Sequence, residues 1–167
     1  MTTPRKTAGI LKGRGGFTLV EMLVTLSIVA VLAGAAVPLA RTAIQREKEI
    51  ELRRNLRILR EAIDVYKNMA DENLFSVEAD SEGYPPDLKT LVEGVEIVDK
   101  SEGASSEKKI FRFLRRIPRD PMTESPDWGL RSFQDDPGSD SWGGENVFDV
   151  YTRSTAKALD GSRYREW

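Results

Sequence analysis

Between Phe17 and Ala40 the chain carries one ionisable side chain, Glu21, among 24 positions (FTLVEMLVTLSIVAVLAGAAVPLA). A helix of that length rises about 36 Å at ~1.5 Å per residue, enough to cross the hydrocarbon of a bilayer. Beyond Arg41 the pattern turns amphipathic. Leu52, Leu56, Leu59, Ile63 and Tyr66 recur at spacings of 4, 3, 4 and 3, while Arg53, Arg54, Arg57, Arg60 and Glu61 fill the other faces. This predicts that the apolar helix continues as a stalk to about Ala70, burying one stripe against a small domain. The same spacing fits a coiled-coil dimer, for which about two heptads is short.

The rest reads as short elements. Asp71 to Gly83 is a polar loop, Tyr84-Pro85-Pro86-Asp87-Leu88 leads through a tight turn into a short helix, and Glu102 to Lys109 is a Ser/Lys/Glu-rich loop. Gly129 to Phe133 and Asn146 to Thr152 have the alternation and aromatic content of strands, separated by the turn-rich DDPGSDSWGG. The predicted fold class is α+β: a long N-terminal helix packed on a small antiparallel sheet with extended loops. Four segments follow: a leader (1–16), an apolar helix (17–40), an amphipathic stalk (41–70) and a water-facing head (71–167).

Charge follows the same divisions. The 167 residues carry 25 Lys+Arg against 27 Asp+Glu, but the four segments have net charges of +4, −1, +3 and −8. Zero cysteine excludes a disulfide framework, a thiolate zinc site, a cysteine nucleophile and a cysteine-anchored lipid. Zero histidine removes the commonest metal ligand and the usual general base, so an enzyme is not expected. The apolar segment has three readings. A buried core helix is disfavoured because so short a chain has little surface to wrap it. A cleaved secretory signal fits the basic leader and the string Ala33-Gly34-Ala35-Ala36, but Glu21 and the length of the run count against it. A membrane span remains. The Lys/Arg rule leaves its orientation open, since seven bases in residues 41–60 face four in the leader.

The junction Gly16-Phe17-Thr18-Leu19-Val20-Glu21 supplies what charge does not. A short basic leader ending in glycine, then phenylalanine, then a lone acid at the fifth position of an apolar helix, resembles the class III signal of type IV pilins and type II secretion pseudopilins. The resemblance implies cleavage by a prepilin peptidase between Gly16 and Phe17, N-methylation of Phe17, and a mature chain of 151 residues. Independently of any family, an ammonium created at Phe17 would sit one helical turn from Glu21. Either charge alone is costly in lipid, so a Glu21 on one copy and an amine on the next would relieve each other. Pro38 removes the backbone donor to Gly34, predicting a weakened turn between them. By resemblance that turn aids packing in a filament; on residues alone a simple membrane kink serves equally.

Downstream, EAIDVYK (61–67), GYPPDLKTLVEG (83–94), RRIPRDP (115–121), FDVYT (148–152), LDG (159–161) and Trp167 resemble, in order, the blocks of the G-type major pseudopilin of type II secretion. Residues 71–83 are longer than the usual connection, and the stretch from Asp120 to Gly129 is expanded. The resemblance implies a calcium ion in the C-terminal loop. Asp160 matches one ligand; the second has no clean counterpart, the tail offering only Glu166 beside two cations. Asp135, Asp136, Asp140 and Glu145 form a second acidic loop, more often simply a solvated turn. Arg112, Arg115, Arg116 and Arg119 with Phe111 and Phe113 have the residue types for nucleic acid, but their domain is acidic and no such partner is expected.

The expectation is therefore a non-enzymatic structural subunit. It would be a single-pass protein of a bacterial inner membrane, its head in the periplasm, polymerising into a pseudopilus that drives protein export. The implied partners are further copies of the chain, the prepilin peptidase, minor pseudopilins, an inner-membrane platform with a cytoplasmic ATPase, membrane lipid and, indirectly, an outer-membrane secretin. The rivals are a type IV pilus subunit for adhesion, motility or DNA uptake, a membrane-anchored periplasmic protein that does not polymerise, and a periplasmic hydrolase with an uncleaved anchor, the last poorly supported.

Overall fold

A computed structural model describes residues 16–97, 109–139 and 141–167. The leader up to Gly15, most of the loop expected at Glu102–Lys109, and Asp140 lie outside the described residues. The chain divides into two units, one ending at Arg41 and the other running Thr42–Trp167.

Helix α1 spans Leu19–Asp71 without a break, and Pro38 lies inside it. In the first unit it is coated by apolar side chains with no cover: none of its most apolar 18-residue window is buried within the molecule. The hydroxyls of Thr25 and Ser27 donate back to the carbonyls of Met22 (3.0 Å) and Leu23 (2.7 Å), so the two are satisfied within the helix.

In the second unit α1 supplies the core. The stripe Leu52, Leu56, Leu59, Ile63 and Tyr66 is buried as the spacing predicts, against Leu88, Leu91, Leu114, Trp128, Val147 and Val150. The helix stops in a Schellman motif. Asn73 takes the left-handed conformation (φ 54°), its N–H donates to Ala70 O at 2.9 Å, and Leu74 N–H donates to Met69 O at 3.1 Å. Phe75, just beyond, returns to pack edge-on against Tyr66 at 4.9 Å between ring centroids. The loop expected at 71–83 thus contributes to the core and includes a short 3₁₀ turn at Ala79–Ser81.

Helix α2, Leu88–Glu93, begins where the proline turn predicts. Asp87 caps it, one carboxylate oxygen accepting from Thr90 N–H and Thr90 Oγ1, both at 2.8 Å. Gly94 ends it with φ 87°, and a side chain there would run into the carbonyl of Phe111. The antiparallel part takes the form of two separate ribbons. Strand β1 (Val95–Ile97) pairs with β2 (Lys109–Phe111), and β3 (Gly129–Arg131) pairs with β4 (Asp149–Tyr151) in the register Gly129↔Tyr151. The second ribbon lies within the strand segments read from sequence: β3 starts at Gly129 as expected and stops at Arg131, and β4 is trimmed at both ends. Gly129 is required because a Cβ would enter the Tyr151 ring.

Two polar devices tie the ribbons and loops to α1. Asp120 is fully buried. It accepts from Met122 N–H at 2.8 Å and from the Thr152 hydroxyl, while Asn55 on α1 donates to the neighbouring Arg119 O at 2.9 Å. Arg60 on α1 donates through Nε to Asp149 at 2.7 Å and through Nη2 to the carbonyls of Val150 (3.2 Å) and Trp167 (2.8 Å). One guanidinium therefore holds β4 and the C-terminal turn to the helix.

Candidate processing segment and C-terminal loop

Thr18 sets the start of α1. Its Oγ1 accepts from Glu21 N–H at 3.2 Å and its carbonyl accepts from Met22 N–H at 3.1 Å. This is the Thr-x-x-Glu pattern of a capping box with only the threonine half closed. The carboxylate of Glu21 has no hydrogen-bond or ion-pair partner among the described residues, and it stands in the first turn, where the helix dipole favours it. Thr18 was not singled out from sequence, although its spacing to Glu21 was the signal that could have found it. Its hydroxyl takes the capping role and leaves the glutamate available.

Gly16 and Phe17 precede this cap as exposed residues. A Cβ built on Gly16 would meet nothing within 4 Å, so the fold itself makes no demand for glycine there. The demand, if there is one, belongs to whatever acts on this peptide bond. Further along, the helix passes through Pro38, and a side chain on Gly34 would likewise meet nothing. Proline supplies no N–H, so the carbonyl four residues back loses its usual helical donor while the turn remains helical.

The C-terminal loop, the other place marked by sequence, is held by protein groups. Asp160 Oδ1 accepts from Ser162 Oγ (2.6 Å) and Ser162 N–H (2.9 Å), and Arg53 of α1 lies 3.9 Å from Oδ2. These contacts, the serine hydroxyl above all, hold the carboxyl below the ordinary range. Arg53 Cζ also lies over the Trp167 ring, 3.8 Å from its centroid, and Trp167 Nε1 donates back to Ser162 Oγ at 2.8 Å. One turn earlier on α1, Glu49 Oε1 accepts from Leu159 N–H and the Tyr164 hydroxyl, both at 2.8 Å. Burial, more than any other cause, pushes the Tyr164 hydroxyl above its usual value.

This donor set does not fit a calcium ion. A cation already flanks Asp160, Glu166 lies 4.0 Å from Arg163, and no group of three or more acidic side chains converges among the described residues. In the other acidic loop Asp135 is committed to the backbone. It accepts from Ser132 N–H (2.7 Å) and Gly143 N–H (3.1 Å), and those bonds, Ser132 first, lower its pKa. Calcium or a chelator is accordingly expected to leave the thermal midpoint of the detergent-solubilised chain unchanged, whereas Glu49→Ala should cost about 2 kcal/mol. A rise of several degrees on adding calcium would overturn this assignment.

The aromatic residues among the arginines are not offered to bases. Phe113 packs on Tyr66 at 5.2 Å and Phe111 packs on Phe113 at 5.1 Å.

Residues 11–37 fit the family described as the prokaryotic N-terminal methylation motif, a segment that contains Gly16, Phe17, Glu21 and most of the apolar segment 17–40. No curated protein and no solved structure matches the chain significantly. The N-terminus therefore carries the signal of type IV pilin-like precursors, and among the described residues one helix is long and apolar enough to span a membrane and directly follows the junction. Cleavage and methylation by a prepilin peptidase are the processing this motif implies.

Proposed function

We propose that the chain is the precursor of a pseudopilin. After removal of residues 1–16 the mature subunit, anchored in the inner membrane with its head in the periplasm, polymerises into the pseudopilus of a type II secretion system. It would act by assembly and not by catalysis. The observation that carries this reading is the methylation motif laid across a capped helix start, with an uncommitted Glu21 and an apolar surface that nothing among the described residues covers.

The secretion role is favoured over a pilus role by the order of the downstream blocks from EAIDVYK to the terminal Trp167. In this reading the prepilin peptidase, minor pseudopilins and the ATPase-driven inner-membrane platform are the partners, with the secretin engaged indirectly. No cofactor is required. The motor energy would enter through the platform, and the subunit would transmit it as filament growth.

The intact mass of the membrane-extracted protein is the direct test. A chain beginning at Phe17 and heavier by one methyl group supports the reading. A start at Ala36 or Val37 would instead mark an ordinary secretory signal, and an unprocessed Met1 an uncleaved anchor; either result rules the pseudopilin assignment out.

A further inference from the structure

Two surfaces of the second unit have complementary chemistry on different sides of α1. The first is an open groove of about 1120 Å³ between α1 and the segment 114–119. Ile50, Ile58, Ile117 and Pro118 give it an apolar floor; Arg46, Arg54, Arg115, Arg116 and Arg119 line it, against only Glu47 and Glu51. Among the described residues none of these five arginine side chains is in an ion pair. Ile50 is 65% exposed, an apolar side chain left uncovered beside unpaired guanidinium groups.

The second surface is the loop between β3 and β4 and its aromatic border. Residues 133–148 contain four acids and no base. Phe133, Trp142 and Phe148 are 55%, 40% and 44% exposed. Phe133 and Phe148 are braced against each other at 5.5 Å and against Tyr84 at 5.9 and 5.2 Å. Hydrogen bonds tie the loop's two flanks together: Asp135 grips Ser132 and Gly143, Asn146 Oδ1 accepts from Phe133 N–H at 2.9 Å, and Trp142 Nε1 donates to Asn146 O at 2.8 Å. That scaffold presents the exposed carboxylates of Asp136 and Glu145, which have no partner among the described residues.

The two surfaces cannot serve each other within one chain. Ile58 belongs to the groove, whereas Lys67 lies 5.6 Å over the Tyr84 ring at the aromatic border. They are ~2.5 turns apart on one helix, so they project to opposite sides.

We infer that the basic groove receives the acidic aromatic loop of a second copy of this chain. Asp136 and Glu145 would pair with Arg115, Arg116 and Arg119, and the exposed rings would cover Ile50 beneath the guanidinium planes. Because the two patches differ and lie on opposite flanks, the contact is head-to-tail and repeats from copy to copy instead of closing in a symmetric pair. This rests on the polymer reading above and adds to it a heterologous contact between neighbouring copies outside the membrane.

The sequence contains no cysteine, which makes the test clean. Differently tagged full-length chains carrying Arg116→Cys or Glu145→Cys are co-expressed, oxidised in the membrane and scored for mixed and like-with-like disulfide dimers. Filament content is measured separately by sedimentation. The expected result is a mixed dimer at least about tenfold above either like pair. In parallel, Arg115→Glu with Arg116→Glu should lower filament yield about tenfold, and adding Asp136→Arg with Glu145→Arg should restore it. Filaments that form without the mixed cross-link overturn this interface and leave the polymer reading standing. Processed wild-type chain that never sediments as filaments overturns both.

Discussion

Glu21→Ala is expected to leave insertion and cleavage intact and to lower filament yield about 100-fold. An acid at mid-membrane costs about 2.5–3.5 kcal/mol on insertion scales, less near the interface, so removing it makes insertion easier and cannot be blamed for a failure upstream. The contact that offsets this cost in the assembled state is worth a similar amount. At ~1.4 kcal/mol per tenfold, its loss weakens each addition step by about two decades. Glu21→Gln should fall between the two, since a neutral amide can still accept a hydrogen bond but cannot pair with an ammonium. Cap geometry separates this from a folding defect: the hydroxyl that holds the helix start belongs to Thr18, not to Glu21. Normal filaments from the alanine variant, with processing confirmed by mass, would end the pairing mechanism.

The largest effect on the second unit is expected at Asp120. Asp120→Ala removes the acceptor of Met122 N–H and of the Thr152 hydroxyl, at a position with no solvent exposure. Two donors left unmet at about 1–3 kcal/mol each, without water to replace the carboxylate, give a loss of about 3 kcal/mol. For a unit of this size that is a fall of roughly 10 °C in thermal midpoint. Asp120→Asn keeps one carbonyl acceptor and should lose about 1 kcal/mol. Calorimetry or circular dichroism of the solubilised protein decides it. An unchanged midpoint for the alanine variant would mean that the segment around Asp120 is held by Trp128 Nε1 on Pro118 O and by Asn55 on Arg119 O without the carboxylate.

Long-range order in this chain was legible where a period repeats. The apolar run after Phe17, broken only by Glu21, and the 4-3-4-3 stripe from Leu52 to Tyr66 each contain enough turns for the pattern to outweigh local noise, and the helix ends one residue beyond the predicted Ala70. The ribbons were harder. Val95–Ile97 and Lys109–Phe111 are three residues each, too short for an alternation to show, and their pairing closes across a segment with no periodic signal. The Thr18-to-Glu21 spacing of a capping box is written in the sequence, but the lone acid in an apolar run is the stronger signal. The surroundings of Asp160 could not be read from its residue type. An Asp-Gly-Ser string looks the same whether its carboxylate faces a cation from solution or Arg53 from a helix 107 positions earlier. Asp120 was inside a recognised block, yet its role depends on Thr152, which no local pattern couples to it.

The inward-turned hydroxyls of Thr25 and Ser27 have a mechanical corollary. With those two groups occupied by their own carbonyls, the only uncommitted ionisable side chain along the greasy half of the helix is Glu21. Copies lying side by side in lipid would then share one latch point, and everything below it is smooth hydrocarbon that tolerates sliding and rotation. Within the lipid, axial stagger would then be set at one end of the apolar segment only, and any second polar lock between copies has to come from the heads outside the bilayer.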